Sequence, residues 1–263
     1  MKPSIMVGVT TFNRPSYLRK SLRAIAANVL PDVDAVIVHN DGSDNKYNAE
    51  YRRAYSRLDE VIIQESPVNE GVAKSKNAIL RECLNMGADY VFLVEDDIIV
   101  QSPNAIHDYI HATEISGLSH LNYALHGPAN RGFVPESDDV LSYYPHSVGA
   151  FSLFTASSLR DVGLFDENLH NAWEHVELAL RLAQAGYTSG AYRFADVKDS
   201  DKLISEIPGS IDKSSIRPLP NWRKNIRDGM IYWRDNKPET WAELFGPDKP
   251  LALYAQSVID GPY

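Results

Sequence analysis

The chain has 263 residues, 44% of them hydrophobic and 23% charged, and a formal net charge of −9. This is ordinary globular composition with length enough for a sizeable core, while the acidic balance argues against broad attraction to nucleic acid and the single cysteine excludes a disulfide framework. Apolar residues within 1–11 are too few and too interrupted for a signal-peptide core or a membrane span, so the expectation is a cytoplasmic protein.

The elements follow from periodicity. Residues 4–11 read as a strand, and Leu18, Leu22 and Ile25 then recur at helical spacing. A second strand, 35–39, ends in Asn40, Asp41, Gly42 and Ser43, the chemistry of a tight turn. A third strand fits 61–64. The stretch 71–86 reads as a helix whose apolar face is Val72, Ile79, Leu80, Cys83 and Leu84, stopped by Gly87; Cys83 is thereby a buried structural thiol. A fourth strand covers 90–94.

Beyond it the pattern loosens into a loop over 127–142, an apolar stretch over 148–155, a helix over 174–185 stopped by Gly186 and a short strand over 191–195. The tail holds Trp222, Trp233 and Trp241, which suggests a helix or two packed back on the rest. No linker or repeat divides the chain. The reading is an α/β domain over 1–200, in halves of about 1–100 and 101–200, with an extension over 201–263.

Strands alternating with helices imply a Rossmann-type, mostly parallel sheet covered on both faces, with ligands at the carboxyl ends of its strands. The polar motifs sit at those ends: residues 10–13, 41–43 and 95–97. Three consecutive acids, Glu95, Asp96 and Asp97, are costly beside a core unless a cation or hydroxyl groups receive them. A divalent cation held by such carboxylates can stabilise a departing nucleoside diphosphate.

In order along the chain, VGVTTFNRPSYLRKSL, HNDGSD, NEGVAKSKN, VEDDI and FDENLHNAWEHVELALRLAQAGY resemble the motifs of family 2 glycosyltransferases and their GT-A relatives over about 4–197. VEDDI resembles the acidic, DXD-like motif in its EDD form, as in N-acetylglucosaminyltransferase I. The resemblance implies a metal-dependent, inverting transfer of sugar from a nucleotide sugar, a UDP-sugar foremost, to a hydroxyl of a glycan or other acceptor. It makes about 1–100 the nucleotide-sugar half and about 101–200 the acceptor half, and implies nucleoside contacts from Thr10, Phe12 and Asp41, and sugar or ribose contacts from Glu95 and Asp96. Asp97 takes the Mn²⁺ or Mg²⁺. Lys76 stands where relatives carry Arg and, like Lys74, is within reach of a phosphate.

Where the family has Glu-Asp at the acceptor side, this chain has Glu174 and His175, either of which can serve as the base. Trp173 offers a ring to the acceptor, with Tyr143, Tyr144 and His146 nearby. Relatives commonly supply a further metal ligand, often His, after the following strand. No His follows His175, and Asp199 is the choice among Asp196, Asp199 and Asp201. Two other readings remain: a binding module that kept the nucleotide crevice without catalysis, and a nucleotidylyltransferase, for which GVTTFNRP is a poor phosphate loop. A basic patch of Arg217, Arg223, Lys224 and Arg227 leaves a nucleic-acid acceptor open but unfavoured by charge.

Overall fold

The computed structural model describes residues 2–58, 60–170 and 172–261. The first half runs β1 (Ile5–Thr11), α1 (Pro15–Asn28), β2 (Ala35–Asn40), α2 (Asn48–Tyr55), β3 (Ile62–Glu65), α3 (Val72–Asn85), β4 (Tyr90–Glu95), β5 (Ile98–Val100) and α4 (Ala105–Ser116). It continues through β6 (His120–Asn122), β7 (Glu136–Ser137), β8 (Leu141–Tyr144), β9 (Phe151–Thr155), α5 (Ala156–Val162), α6 (Glu174–Gln184), β10 (Phe194–Val197) and β11 (Ile204–Glu206). Three helices close it: α7 (Trp222–Asn236), α8 (Pro238–Phe245) and α9 (Ala252–Asp260).

The main sheet has the order β3-β2-β1-β4-β9-β6. Its first four strands are parallel, and β9 lies antiparallel to both β4 and β6. Strand periodicity sorts β1 between two layers. Ile5, Val7 and Val9 face a core with Leu18, Leu22 and Ile25 of α1, and Met6 faces the other with Ile79, Leu80 and Cys83 of α3. Gly8 belongs to the second face, where a Cβ would lie 2.1 Å from Cγ2 of Ile79, so α3 packs directly on the strand backbone.

A third core joins α6 to the extension. Val176, Ala179 and Leu180 pack with Met230, Trp233, Leu244, Phe245, Ala255 and Ile259, while Leu178 and Leu182 of the same helix face the sheet. The tail therefore supplies three helices where its tryptophans suggested one or two. The strand expected at 191–195 begins later, at Phe194, because Tyr192 adopts φ 63° in a turn that breaks the extended run.

Candidate active site

The parallel register brings Thr10 beside His39 and Glu95, and carries the turns after β1, β2 and β4 to one end of the sheet. These turns are stitched together. Asn13 donates its backbone N–H to Ser43 Oγ at 2.8 Å and accepts from the Asp44 N–H at 2.8 Å. Tyr51 of α2 brings its hydroxyl to Thr11 Oγ1, to Ser43 Oγ and to the Arg14 N–H, at 3.2, 3.0 and 3.0 Å. Thr11 in turn donates to Asp96 Oδ2 at 2.7 Å.

Asp41 accepts from the N–H groups of Glu70 and Gly71 and from the Asn69 side chain, so the carboxylate staples the turn after β2 to the loop before α3. Gly71 (φ 95°) could not be replaced there without strain, and a Cβ would lie 2.5 Å from His170 O. Thr10, Phe12, Asp41 and Asp96 line a small cleft of about 60 Å³ that Ser215 and Ile216 of the extension cover.

Arg14 reaches Asp96 at 3.3 Å and Asp97 at 2.9 Å with its guanidinium over the Tyr17 ring. Burial pushes the Asp96 carboxyl up, and the charge of Arg14 offsets this only in part, leaving it at about 7. For Asp97 burial acts the same way but is outweighed by His126 and Arg14, which hold it below the usual carboxylate range. His126 Nε2 stands 3.5 Å from Asp97 Oδ1 and 3.8 Å from Glu206. The first distance suits an ion pair but not an aligned hydrogen bond, and both atoms are buried without a hydrogen-bond partner.

Asp199 does not join Asp97. It is exposed, pairs with Lys202 at 2.8 Å and occupies a left-handed turn (φ 59°) that bends its side chain to solvent. Asp196 points inward instead, accepting from Tyr109, Ser200 and the N–H groups of Ala124 and Val197. Among the described residues no group of three or more His, Cys, Asp or Glu is arranged to hold a metal ion. The pair Asp97 and His126 nonetheless fits a hard divalent cation of the kind that takes one or two protein ligands and completes its shell with substrate phosphates. Asp97 Oδ1 and His126 Nε2 face each other there without a hydrogen-bond partner, and a cation between them would take the place of the His126 proton that Asp97 favours.

Glu174 and His175 lie on a cavity of about 510 Å³ that Glu95, His126, His146 and Trp173, among others, also line. Lys76 connects its walls. Fully buried on α3, its Nζ lies 3.1 Å from Glu95, 3.5 Å from Glu174 and 3.0 Å from Gly149 O. Burial alone would raise the Glu174 carboxyl, but His175 and Lys76 outweigh it and bring it down to about 2. The His175 ring packs against Gly149, where a Cβ would come within 2.7 Å. Its Nδ1 lies 3.4 Å from Glu174 and its Nε2 3.3 Å from Ser147 O. Each ring nitrogen thus abuts an oxygen, and neither is directed at the open cavity.

Trp173 takes φ 71° at the start of α6, and its ring meets Phe245, Tyr254 and Trp233 at 5.3, 6.0 and 6.5 Å. It serves as both cavity wall and packing residue. Tyr143 and Tyr144 stand apart on β8, and Lys74 pairs at the surface with Glu70. Three cavity or cleft residues had no sequence signal of their own. Arg14 follows a turn, His126 sits on an aperiodic loop, and Ile216 lies in an irregular stretch that lines both spaces.

Residues 6–110 match the family Glycosyl transferase family 2. Solved structures share the fold. Mannosyltransferase PcManGT from Pyrobaculum calidifontis, in complex with GDP-Man and Mn²⁺, superposes with a TM-score of 0.64 at 15% identity over 100% of this chain and 77% of its own. TarS from S. aureus gives 0.59 at 17% identity over 91% of this chain, which spans only 41% of that TarS chain. TarS 1–349 in complex with UDP-GlcNAc gives 0.57 at 16% identity over 97% and 70%. No curated protein matched the sequence.

The chain therefore shares the GT-A fold of these glycosyltransferase structures, and over residues 6–110 it resembles family 2. The matched segment runs from β1 into α4, the half that presents Thr10, Asp41 and the three acids.

Proposed function

We propose that the protein transfers a sugar from a nucleotide sugar, a UDP-sugar, to an acceptor hydroxyl with inversion. The observation that carries this reading is Lys76, which ties the donor-side Glu95 and the acceptor-side Glu174 together across one cavity. Thr10, Phe12 and Asp41 face the nucleoside, and Glu95 and Asp96 meet ribose and sugar. Asp97 and His126 would hold Mn²⁺ or Mg²⁺ together with the diphosphate, and the cation would neutralise charge on the leaving group. The reading includes a cytoplasmic location, and no described helix is long and apolar enough to cross a membrane.

Glu174, ionised and buried beside the cavity, is the base in this scheme, with His175 as its positioning partner. The acceptor oxygen forms its bond to the anomeric carbon as its proton passes to the Glu174 carboxylate. The bond from that carbon to the diphosphate breaks, and its electron pair leaves with the nucleotide. Trp173 bounds the acceptor. Pockets for small ligands generally hold about 300 Å³ or more, so the donor fits the cleft near Asp41 only if the segment around Ser215 and Ile216 shifts.

The test is calorimetric titration of UDP with Mn²⁺, followed by turnover with UDP-sugars. Asp97→Ala should weaken UDP by at least about tenfold, or 1.4 kcal/mol. Glu174→Gln should lower turnover by about two to four orders of magnitude while keeping UDP affinity. Unchanged turnover in Glu174→Gln would remove the base assignment. The Arg14 guanidinium against both aspartates favours a second reading, in which a built-in cation replaces the metal. UDP affinity that is insensitive to chelator but lost in Arg14→Ala would select it.

A further inference from the structure

One stretch of the extension reverses the charge of the chain. Lys213, Arg217, Arg223, Lys224 and Arg227 fall between residues 213 and 227 with no Asp or Glu among them, in a protein of 35 acidic residues against 26 Lys and Arg. The fold gathers three of these cations, Arg217, Arg223 and Lys224, at one opening. Arg217 and Trp222 line the acceptor cavity, and both also line an adjoining groove of about 420 Å³ whose wall includes Arg223 and Lys224. The cavity that holds Glu174 therefore continues outward as a cationic groove.

A run of cations is commonly a solvated face, and two observations argue for more. Arg217 and Arg223 are exposed and pair with no acid among the described residues, although the chain has acids in excess and Lys224 found Asp228. The half-buried Trp222 lines both spaces, as Arg217 does, and so adds an aromatic surface to a wall that carries two unpaired guanidinium groups. Guanidinium groups bind phosphate and carboxylate in bidentate geometry.

Resting on the glycosyltransferase reading, we infer that the acceptor is an anionic molecule, carrying phosphate or carboxylate groups outward of the hydroxyl that takes the sugar. Arg217 and Arg223 bind the anion, and Trp222 packs against the carbon skeleton between anion and hydroxyl.

The probe is dextran sulfate, with neutral dextran as its matched control, titrated into the whole protein at fixed salt. The sulfated polymer should bind at least about tenfold more tightly, and Arg217→Ala and Arg223→Glu/Lys224→Glu should each remove about that factor. The charge-reversed variant should keep wild-type UDP affinity and fold with a thermal midpoint within a few degrees of wild type, since it gives up only the surface ion pair of Lys224 with Asp228. Competition by glycerol 3-phosphate, glycerate and glycerol then separates a phosphate acceptor from a carboxylate one. Equal binding of both dextrans, or charge reversal without effect, would overturn the inference while UDP binding leaves the enzyme class standing. A wild-type protein that binds no UDP would take down the donor reading and the acceptor assignment with it.

Discussion

At the scale of single residues, Lys76 carries the largest electrostatic stake. At 2% exposure its ammonium depends on Glu95, Glu174 and one carbonyl. Removing one partner of a buried ion pair leaves an uncompensated charge, so Lys76→Met should cost about 3–5 kcal/mol in denaturant unfolding, with Lys76→Arg recovering part of it. Glu174 makes the complementary prediction. Its folded carboxyl, at about 2, lies below its ordinary value. The stabilisation is therefore present above the unfolded pKa of about 4.3 and is lost as pH falls from there toward the folded value. The stability gap between wild type and Glu174→Gln should be full at neutral pH and shrink on acidification below pH 4. A gap that stays constant to pH 3 would mean that Glu174 is not held ionised by Lys76 and His175.

Among the elements, the β1 to α3 contact decides how close helix and sheet can come. Gly8→Ala places a methyl into Ile79 and should destabilise by about 1–3 kcal/mol through overpacking. Ile79→Ala alone empties a buried site, yet the double variant should be more stable than the sum of the singles by about 0.5–3 kcal/mol. Simple additivity in urea unfolding would show that α3 moves away instead. These elements were legible because their periodicity is local: β1, β2, α3, β4 and α6 all fall within a residue or two of their expected bounds. So was the convergence of Thr10, Asp41 and Glu95, which follows once β1, β2 and β4 are parallel neighbours. What escaped reading depends on partners remote in sequence. His126 meets Asp97 across a loop of no periodicity, Arg14 reaches 83 residues ahead, and the antiparallel place of β9 is set by its neighbours rather than by its own apolar run.

For the whole molecule, the extension reaches the Glu174 wall of the cavity through one aromatic cluster. Trp233 is fully buried, donates its indole N–H to Thr240 Oγ1 at 2.8 Å and stacks edge-on with Trp241 and Phe245. The same cluster holds Trp173, whose left-handed backbone immediately precedes Glu174 and persists only while its surroundings enforce it. A second link is ionic: Lys237 at the start of α8 reaches both Glu177 and Asp166 at 2.7 Å. Trp233→Ala should cost about 3–5 kcal/mol, as large-to-small core changes do. Its kinetic signature is more telling than its stability. Loss of the cluster frees Trp173 and with it the position of Glu174, whereas Asp41, Asp97 and Arg14 are fixed by β1, β2 and β4 and should be spared. At a temperature where the variant remains folded, UDP affinity should match wild type within about twofold while turnover falls by about tenfold or more, a loss of 1.4 kcal/mol in transition-state stabilisation. Trp233→Phe, which keeps the ring packing but loses the indole donor, should recover most of that turnover. If UDP binding and turnover instead fell together, the extension would be holding up the donor site as well, and the division of labour between the two sides of the cavity would be wrong.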